Sequence, residues 1–208
     1  MATAYSDSSL LAMGGFCPRL KVWWYFEWPE CIRRRTIKHV KNNASGLLID
    51  INVMEYAGIL IMFLITCQTI RDQNLLELDP YPQVLMRGDN TTSESWSKKA
   101  SKHSPVGRAL GRLQCALMLH NPIALHSNHI PTELNVVADK LSRVESEAHL
   151  AAAITKIQQE HPELTGCQRF NLSNSLTSCL LEIILKAECN NPIELSRLAL
   201  TNPGRITS

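Results

Sequence analysis

No Cys-x-x-Cys pair occurs among the seven cysteines, and no His–Cys grouping has zinc-ligand spacing. That excludes zinc-finger and thioredoxin-like motifs. An odd set of unpaired thiols reads as reduced cysteine in an intracellular protein, cytoplasmic or nuclear rather than secreted. The Asn-x-Ser/Thr triplets at Asn43, Asn90 and Asn171 are then chance matches. A signal peptide is also missing, because Met1–Gly15 has no basic segment ahead of an apolar run. The apolar stretch Tyr56–Cys67 is about a dozen residues, short of a bilayer span and the right length for a buried core helix, so no membrane partner is expected. Internal repeats and low-complexity tracts are absent. Net charge is only +2, too small to prove a polyanion partner. The basic residues are nevertheless clustered. Arg33, Arg34, Arg35, Lys38 and Lys41 form one run, and Lys98, Lys99, Lys102, Arg108 and Arg112 another. Such runs are ordinarily solvated faces, and they also suit a phosphate-binding surface.

What is present is enough for a core: 208 residues, 45% of them hydrophobic. Ala4–Ser8, Leu10–Phe16 and Val22–Trp28 read as three close strands of an antiparallel meander, with Gly14-Gly15 as a bend or bulge. The aromatic run Trp23–Trp28 reads as strand core with one exposed face. Pro29–Gly46 reads as a loop with a short helix. Ile51–Ile70 reads as a helix buried against a sheet, apolar apart from Asn52 and Glu55. Asp72–Pro82 is a loop, and Gln83–Arg87 a fourth strand ending at Gly88-Asp89-Asn90. Helices follow over Thr91–Ala100 and Pro105–His120, split near Ser104-Pro105. A fifth strand covers Pro122–Ile130. Asn135 suits the N-cap of a helix running to about Gln159. The order predicts an α/β domain over residues 1–150, a five-stranded mixed sheet flanked by helices. Residues 151–208 read as a helical extension, with a helix over Ser173–Glu188 and a disordered tail at Thr201–Ser208.

Four carboxylates stand at informative places: Asp7 in the first strand, Glu55 in the apolar helix, Asp89 at the end of the fourth strand, and Asp139 early in the late helix. A carboxylate in so apolar a helix is costly unless compensated. Hard divalent cations take oxygen ligands contributed by several elements. A pair of such ions can activate water and stabilise the leaving oxygen of a phosphodiester. Without metal, clustered carboxylates raise one another's pKa values. His129, in the loop before the late helix, carries an imidazole, the side chain most suited to moving a proton at such a site. Taken singly, each has a plainer reading: a turn residue for Asp7, a solvent-edge helix start for Glu55, an N-cap for Asp89, a helix-dipole partner for Asp139, a surface histidine for His129.

In combination these residues resemble a known family. Asn128–Arg143 (Asn-His-Ile-Pro-Thr-Glu-Leu-Asn-Val-Val-Ala-Asp-Lys-Leu-Ser-Arg) resembles the His-Ile-Pro-Gly…Asn-x-x-Ala-Asp-x-Leu-Ser-Arg block of the ribonuclease H domains of retroelement reverse transcriptases. Gly88–Thr92 is similar to their Asp-Asn-Thr-Thr motif and Ile51–Glu55 to their Ile-Asn-x-x-Glu helix start. Tyr5–Ser8 matches their Thr-Asp-Ala-Ser strand more loosely. The combination, over about residues 4–145, looks most like DIRS-type elements. The resemblance implies a ribonuclease H-like fold and cleavage of the RNA strand of RNA–DNA hybrids. It implies two Mg2+ ions, with Mn2+ as an alternative, held by Asp7, Glu55, Asp89 and Asp139, with proton transfer by His129. It places Asn90 and Thr91 near the bound strand, with Lys98, Lys99, Arg108 and Arg112 holding the other strand. The polymerase domain of the same polyprotein is a candidate partner, and no small-molecule cofactor is implied.

Three departures stand out. Thr132 replaces the glycine after Ile-Pro, the Asp7–Glu55 separation implies an enlarged loop after the third strand, and no polymerase Asp-Asp motif precedes the domain. The last suggests a fragment, a processed product, or a degenerate or domesticated copy. A catalytically silent binding module on the same fold is the first alternative. An integrase or transposase, which relies on two Asp and a late Glu, fits less well.

Overall fold

The computed structural model describes residues 1–42, 49–77, 82–99, 101–189 and 203–206; Asn43 and parts of two predicted loops and the predicted tail lie outside them. The chain begins with the expected meander, β1 (Ala2–Ser8), β2 (Ala12–Cys17) and β3 (Val22–Glu27). Helices α1 (Glu30–Asn42) and α2 (Ile51–Asp72) follow. Then come β4 (Gln83–Gly88), α3 (Thr91–Lys98), α4 (Pro105–His120) and β5 (Ala124–His129). Beyond β5 lie α5 (Val136–Ser142), α6 (Glu147–Glu160), β6 (Gln168–Leu172), α7 (Asn174–Glu188) and β7 (Gly204–Ile206).

The architecture is α/β, and the mixed sheet has seven strands in the order β5-β4-β1-β2-β3-β6-β7, not the five expected. β1, β2 and β3 are antiparallel, while β4 runs parallel to β1 and β5 parallel to β4. The two additional strands come from the segment read as a helical extension. Gln168 and Arg169 pair in parallel with Val22 and Trp23, so the open edge of β3 is covered, as exposed sheet edges generally are. β7 adds antiparallel to β6, at residues expected to be disordered. Gly204 makes that pairing possible. Its φ is +143°, and a Cβ there would lie 2.0 Å from the Asn171 carbonyl oxygen.

Other expectations change as well. The loop after β3 is largely the 13-residue helix α1, tied to α7 by an Arg35–Glu188 ion pair. Gly14-Gly15 is no bulge, because β2 keeps unbroken register with both neighbours. A Cβ on Gly14 would stand 2.6 Å from Leu141 Cβ, so the glycine lets α5 lie close on the sheet. The aromatic strand has no exposed face. Trp24 and Trp28 pack into the α2 side, and Trp23 and Tyr25 into the α5–α6 side, with the Arg169 guanidinium over the Trp23 ring.

The helix predicted to run from Asn135 to about Gln159 is two helices. α5 ends at Ser142, Val144 N–H donates to the Leu141 carbonyl, and Ser146 adopts the extended N-cap conformation that starts α6. The break lets Leu141, Val144, Leu150 and Ile157 all pack into the second core cluster with Phe16 and Trp23. Asn135 does not cap by its side chain. It is buried and turned inward, its amide donating to the Ser6 carbonyl at 3.2 Å.

α2 is buried along nearly its whole length on the other face of the sheet, where α4 and α7 join it. Among the described residues it is the one helix long and apolar enough to cross a membrane, and 94% of its apolar window is buried inside the fold. This burial supplies more of the first core cluster than any other element does, and it also drives Glu55, one turn from the helix start, into the protein.

Candidate metal centre

The cluster forms where the ends of four elements meet. Asp7 lies near the end of β1, beside its parallel neighbour β4, and Asp89 follows β4 directly. α2 crosses β1 so that Glu55 reaches the same point. Asp50 fixes the start of α2, its side chain accepting from Val53 N–H at 3.0 Å. Asn52 donates to Asp50 at 3.0 Å and accepts from the Asn90 amide at 3.1 Å, while Asn90 accepts from Ser93 N–H at 2.9 Å. This chain of bonds locks the start of α2 to the start of α3. Asn90, not Asp89, is the helix cap, which leaves the Asp89 carboxylate to the cluster.

Asp7, Glu55 and Asp89 each offer a carboxylate oxygen, and these oxygens lie within 4.8 Å of one another. Ligand oxygens around one ion are separated by at most about twice the bond length, about 4.6–5.2 Å for Ca2+ and about 4.2 Å for Mg2+, so the three can reach a Ca2+-sized cation as they stand and Mg2+ if they draw slightly together. The donors are hard oxygens without thiol or imidazole, which suits such cations. Asp139 lines the same cleft, together with Ser8, Ser9, Ile51, Asn90 and Arg143. It stands outside the close trio, and its Oδ1 receives Arg143 Nε and a terminal guanidinium nitrogen, both at 2.7 Å.

The electrostatics follow from burial. Desolvation holds the Glu55 carboxyl well above its ordinary value, with the Asp7 and Asp89 charges adding to it. Asp7 is raised to about 7, first by burial and then by the Asp89 and Asp139 charges. A hydrogen bond from Ser142 Oγ to Asp7 Oδ2, at 2.5 Å, opposes that rise. The Ser142 hydroxyl also lies 2.9 Å from the Asp139 carbonyl oxygen. Arg143 is held above its usual pKa by the hydrogen bond and charge of Asp139.

His129 is the last residue of β5 rather than a loop residue, and its Nε2 lies 3.1 Å from the Asp89 carbonyl oxygen, at the rim of the cleft. Asn90 touches the site through its backbone neighbour and Asn52, and Thr91 is exposed beside it. Lys98, Lys99, Arg108 and Arg112 are solvent-exposed on α3, α4 and their junction. Lys98 is paired with Glu94, and Arg108 donates to the Lys102 carbonyl at 3.0 Å. α3 places Lys98 about 12 Å along its axis from Asn90.

Four further residues organise the site: Asp50, Asn52, Ser142 and Arg143. Ser142 and Arg143 had a readable signal. They stand three and four residues after Asp139, hence on its face of the helix. Comparisons with protein families, with curated proteins and with solved structures gave no match.

Proposed function

We propose that this chain is a metal-dependent endonuclease of the ribonuclease H kind, acting on the RNA strand of an RNA–DNA hybrid in a retroelement of the DIRS type. The observation that carries the reading is the meeting of Asp7, Glu55 and Asp89 within 4.8 Å, with Asp139 in the same cleft. These four residues are far apart in sequence and lie in the four motifs of the resemblance. A mixed sheet opened by three antiparallel strands supports the reading too.

The residues fit Mg2+. Asp7, Glu55 and Asp89 would hold one ion, and Asp7 and Asp139 are the side chains available to a second. Bound Mg2+ supplies charge stabilisation and an activated water for phosphodiester hydrolysis. The chain's own groups do the rest. The apolar packing of α2 on the sheet keeps bulk water from one side of the cleft. His129 sits at the rim, where it can exchange a proton with solvent or product. In this reading the exposed Lys98, Lys99, Arg108 and Arg112 would contact the phosphates of the hybrid, recognised by shape and charge.

The test is cleavage of an end-labelled RNA–DNA hybrid by the purified protein in Mg2+, beside Asp89→Asn. Cleavage of the RNA strand that is lost by about 10³-fold or more in the variant supports the reading. A folded wild-type protein that leaves the hybrid intact in Mg2+ and in Mn2+ overturns it and favours a silent binding module.

A further inference from the structure

We propose that the Arg143 guanidinium is a built-in monovalent cation for the outer half of the carboxylate cleft, standing where a second divalent ion must bind and controlling how readily that ion is taken up. The inference rests on the metal-centre reading and adds a regulation to it.

Three observations support it. Arg143 puts two nitrogens at 2.7 Å from one oxygen of Asp139, the one carboxylate of the four outside the close trio. The guanidinium lines the same cleft as Asp7 and Asp89, whose charges act on it less than that of Asp139, so its charge acts mainly on the outer carboxylate. Finally, the side chain is easily released. It is 66% exposed, and among the described residues its guanidinium bonds only to Asp139. An exposed ion pair four residues apart on a helix contributes little free energy. A doubly charged ion reaching Asp139 and Asp7 together would displace it at small cost. Arg143 also lines the groove between α5 and α6, where Glu145 and Glu160 stand beside Lys140 and Lys156, which gives the freed guanidinium carboxylates to turn toward.

The inner trio has no such competitor: no cation from the described residues pairs with Asp7, Glu55 or Asp89. The structure therefore assigns unequal affinities to the two ions, a tight one at the trio and a weaker one at Asp139. Removing the Arg143 charge should tighten the second without changing the first.

Calorimetric titration of the full chain with Mg2+ and with Mn2+, without nucleic acid, reads this directly. Wild type is expected to show two unequal sites. In Arg143→Gln the weaker site should tighten roughly tenfold, the tighter site staying unchanged, because a nearby unit charge has been removed. Arg143→Lys, which keeps the charge, should stay near wild type. Arg143→Met provides a second neutral variant should the glutamine disturb folding. Equal second-site affinity in wild type and both neutral variants overturns the role of Arg143 and leaves the metal centre standing. A wild-type chain that binds neither ion overturns the metal centre itself, and with it this inference.

Discussion

Asp7, at the end of β1 against Ser142 of α5, and Glu55, in α2, are both buried, while Asp139 on α5 keeps part of its side chain in solvent and already holds Arg143. The two sides face the same electrostatic problem and solve it differently. On the inner side, burial and like charge favour the protonated forms of Asp7 and Glu55, and no cation among the described residues pairs with them. On the outer side, an arginine one turn along the same helix supplies the charge. On the proposed reading the inner side needs an external cation, and the outer side merely accepts one. The cost is borne by α2: its apolar packing stabilises the fold and forces a carboxylate out of water in the same stroke.

The strongest way to break this comparison is to neutralise one member of each side. Glu55→Gln should lower hybrid cleavage by about 10³-fold or more, since it removes a ligand that charge and geometry both require. It should also raise the stability of the metal-free protein at pH 7 by roughly 1–3 kcal/mol, because the cost of holding a proton on a buried carboxyl is gone. Asp139→Asn should leave metal-free stability within about 0.5 kcal/mol, because the half-exposed pair with Arg143 that it loses is weak and is offset by relief of the repulsion with Asp7. Urea unfolding in EDTA checks both. If the two variants have the same effect on stability, the inner side carries no special strain and the comparison fails.

A pH series sharpens it. In the metal-free protein the unfolded chain ionises Asp7 near 3.8, while the folded chain keeps its proton up to about 7. Over that interval the folded state binds more protons than the unfolded one. This contribution to stability is therefore full below pH 4 and declines as pH rises toward 7. Glu55 acts in the same direction. Mg2+ should reverse the trend, since it binds the ionised forms. The Mg2+-induced rise in Tm should therefore be several degrees larger at pH 8 than at pH 5.5, about 2–4 °C for each kcal/mol in a chain of this size. In Asp7→Asn the metal-free slope between pH 4 and 7 should flatten. An unchanged slope would show that Asp7 is not the titrating group.

The inner side was readable from sequence because its parts are local and unusual. Glu55 interrupts an apolar helix, and Asp89 sits between a strand and the cap of a helix. What stayed hidden depends on distant partners. Nothing local tells that the helix after Asn135 breaks at Ser142; the break follows from packing of Val144 and Leu150 against Trp23 and Tyr25. Asn135 has the composition of a cap, and its tertiary bond to Ser6 overrides that role. β6 and β7 have few residues and weak alternation, and their pairing is decided by the open edge of β3. The polar links between Asp50, Asn52 and Asn90, and between Ser142 and Asp7, join residues between 2 and 135 positions apart, and no spacing rule covers such a span.

Ser142 is where the two sides of the cleft touch, and altering it should give the smallest effect of the series. Its hydroxyl is fully buried, 2.5 Å from Asp7 Oδ2 and 2.9 Å from the Asp139 carbonyl oxygen. A hydroxyl has one hydrogen to give. With Asp7 ionised, the hydrogen goes to Asp7. With Asp7 protonated, Asp7 can donate to Oγ, and the serine hydrogen turns to the Asp139 carbonyl. Ser142 thus follows the protonation of Asp7 and favours its charged form, the form that a cation needs. Ser142→Ala should push the Asp7 carboxyl further up and weaken Mg2+ binding at pH 7 by roughly three- to tenfold, the equivalent of one buried hydrogen bond. At pH 9, where Asp7 is ionised in both proteins, the difference should shrink toward zero. A loss of affinity equal at pH 7 and pH 9 would mean that Ser142 acts by packing α5 on the sheet, and not through the proton on Asp7.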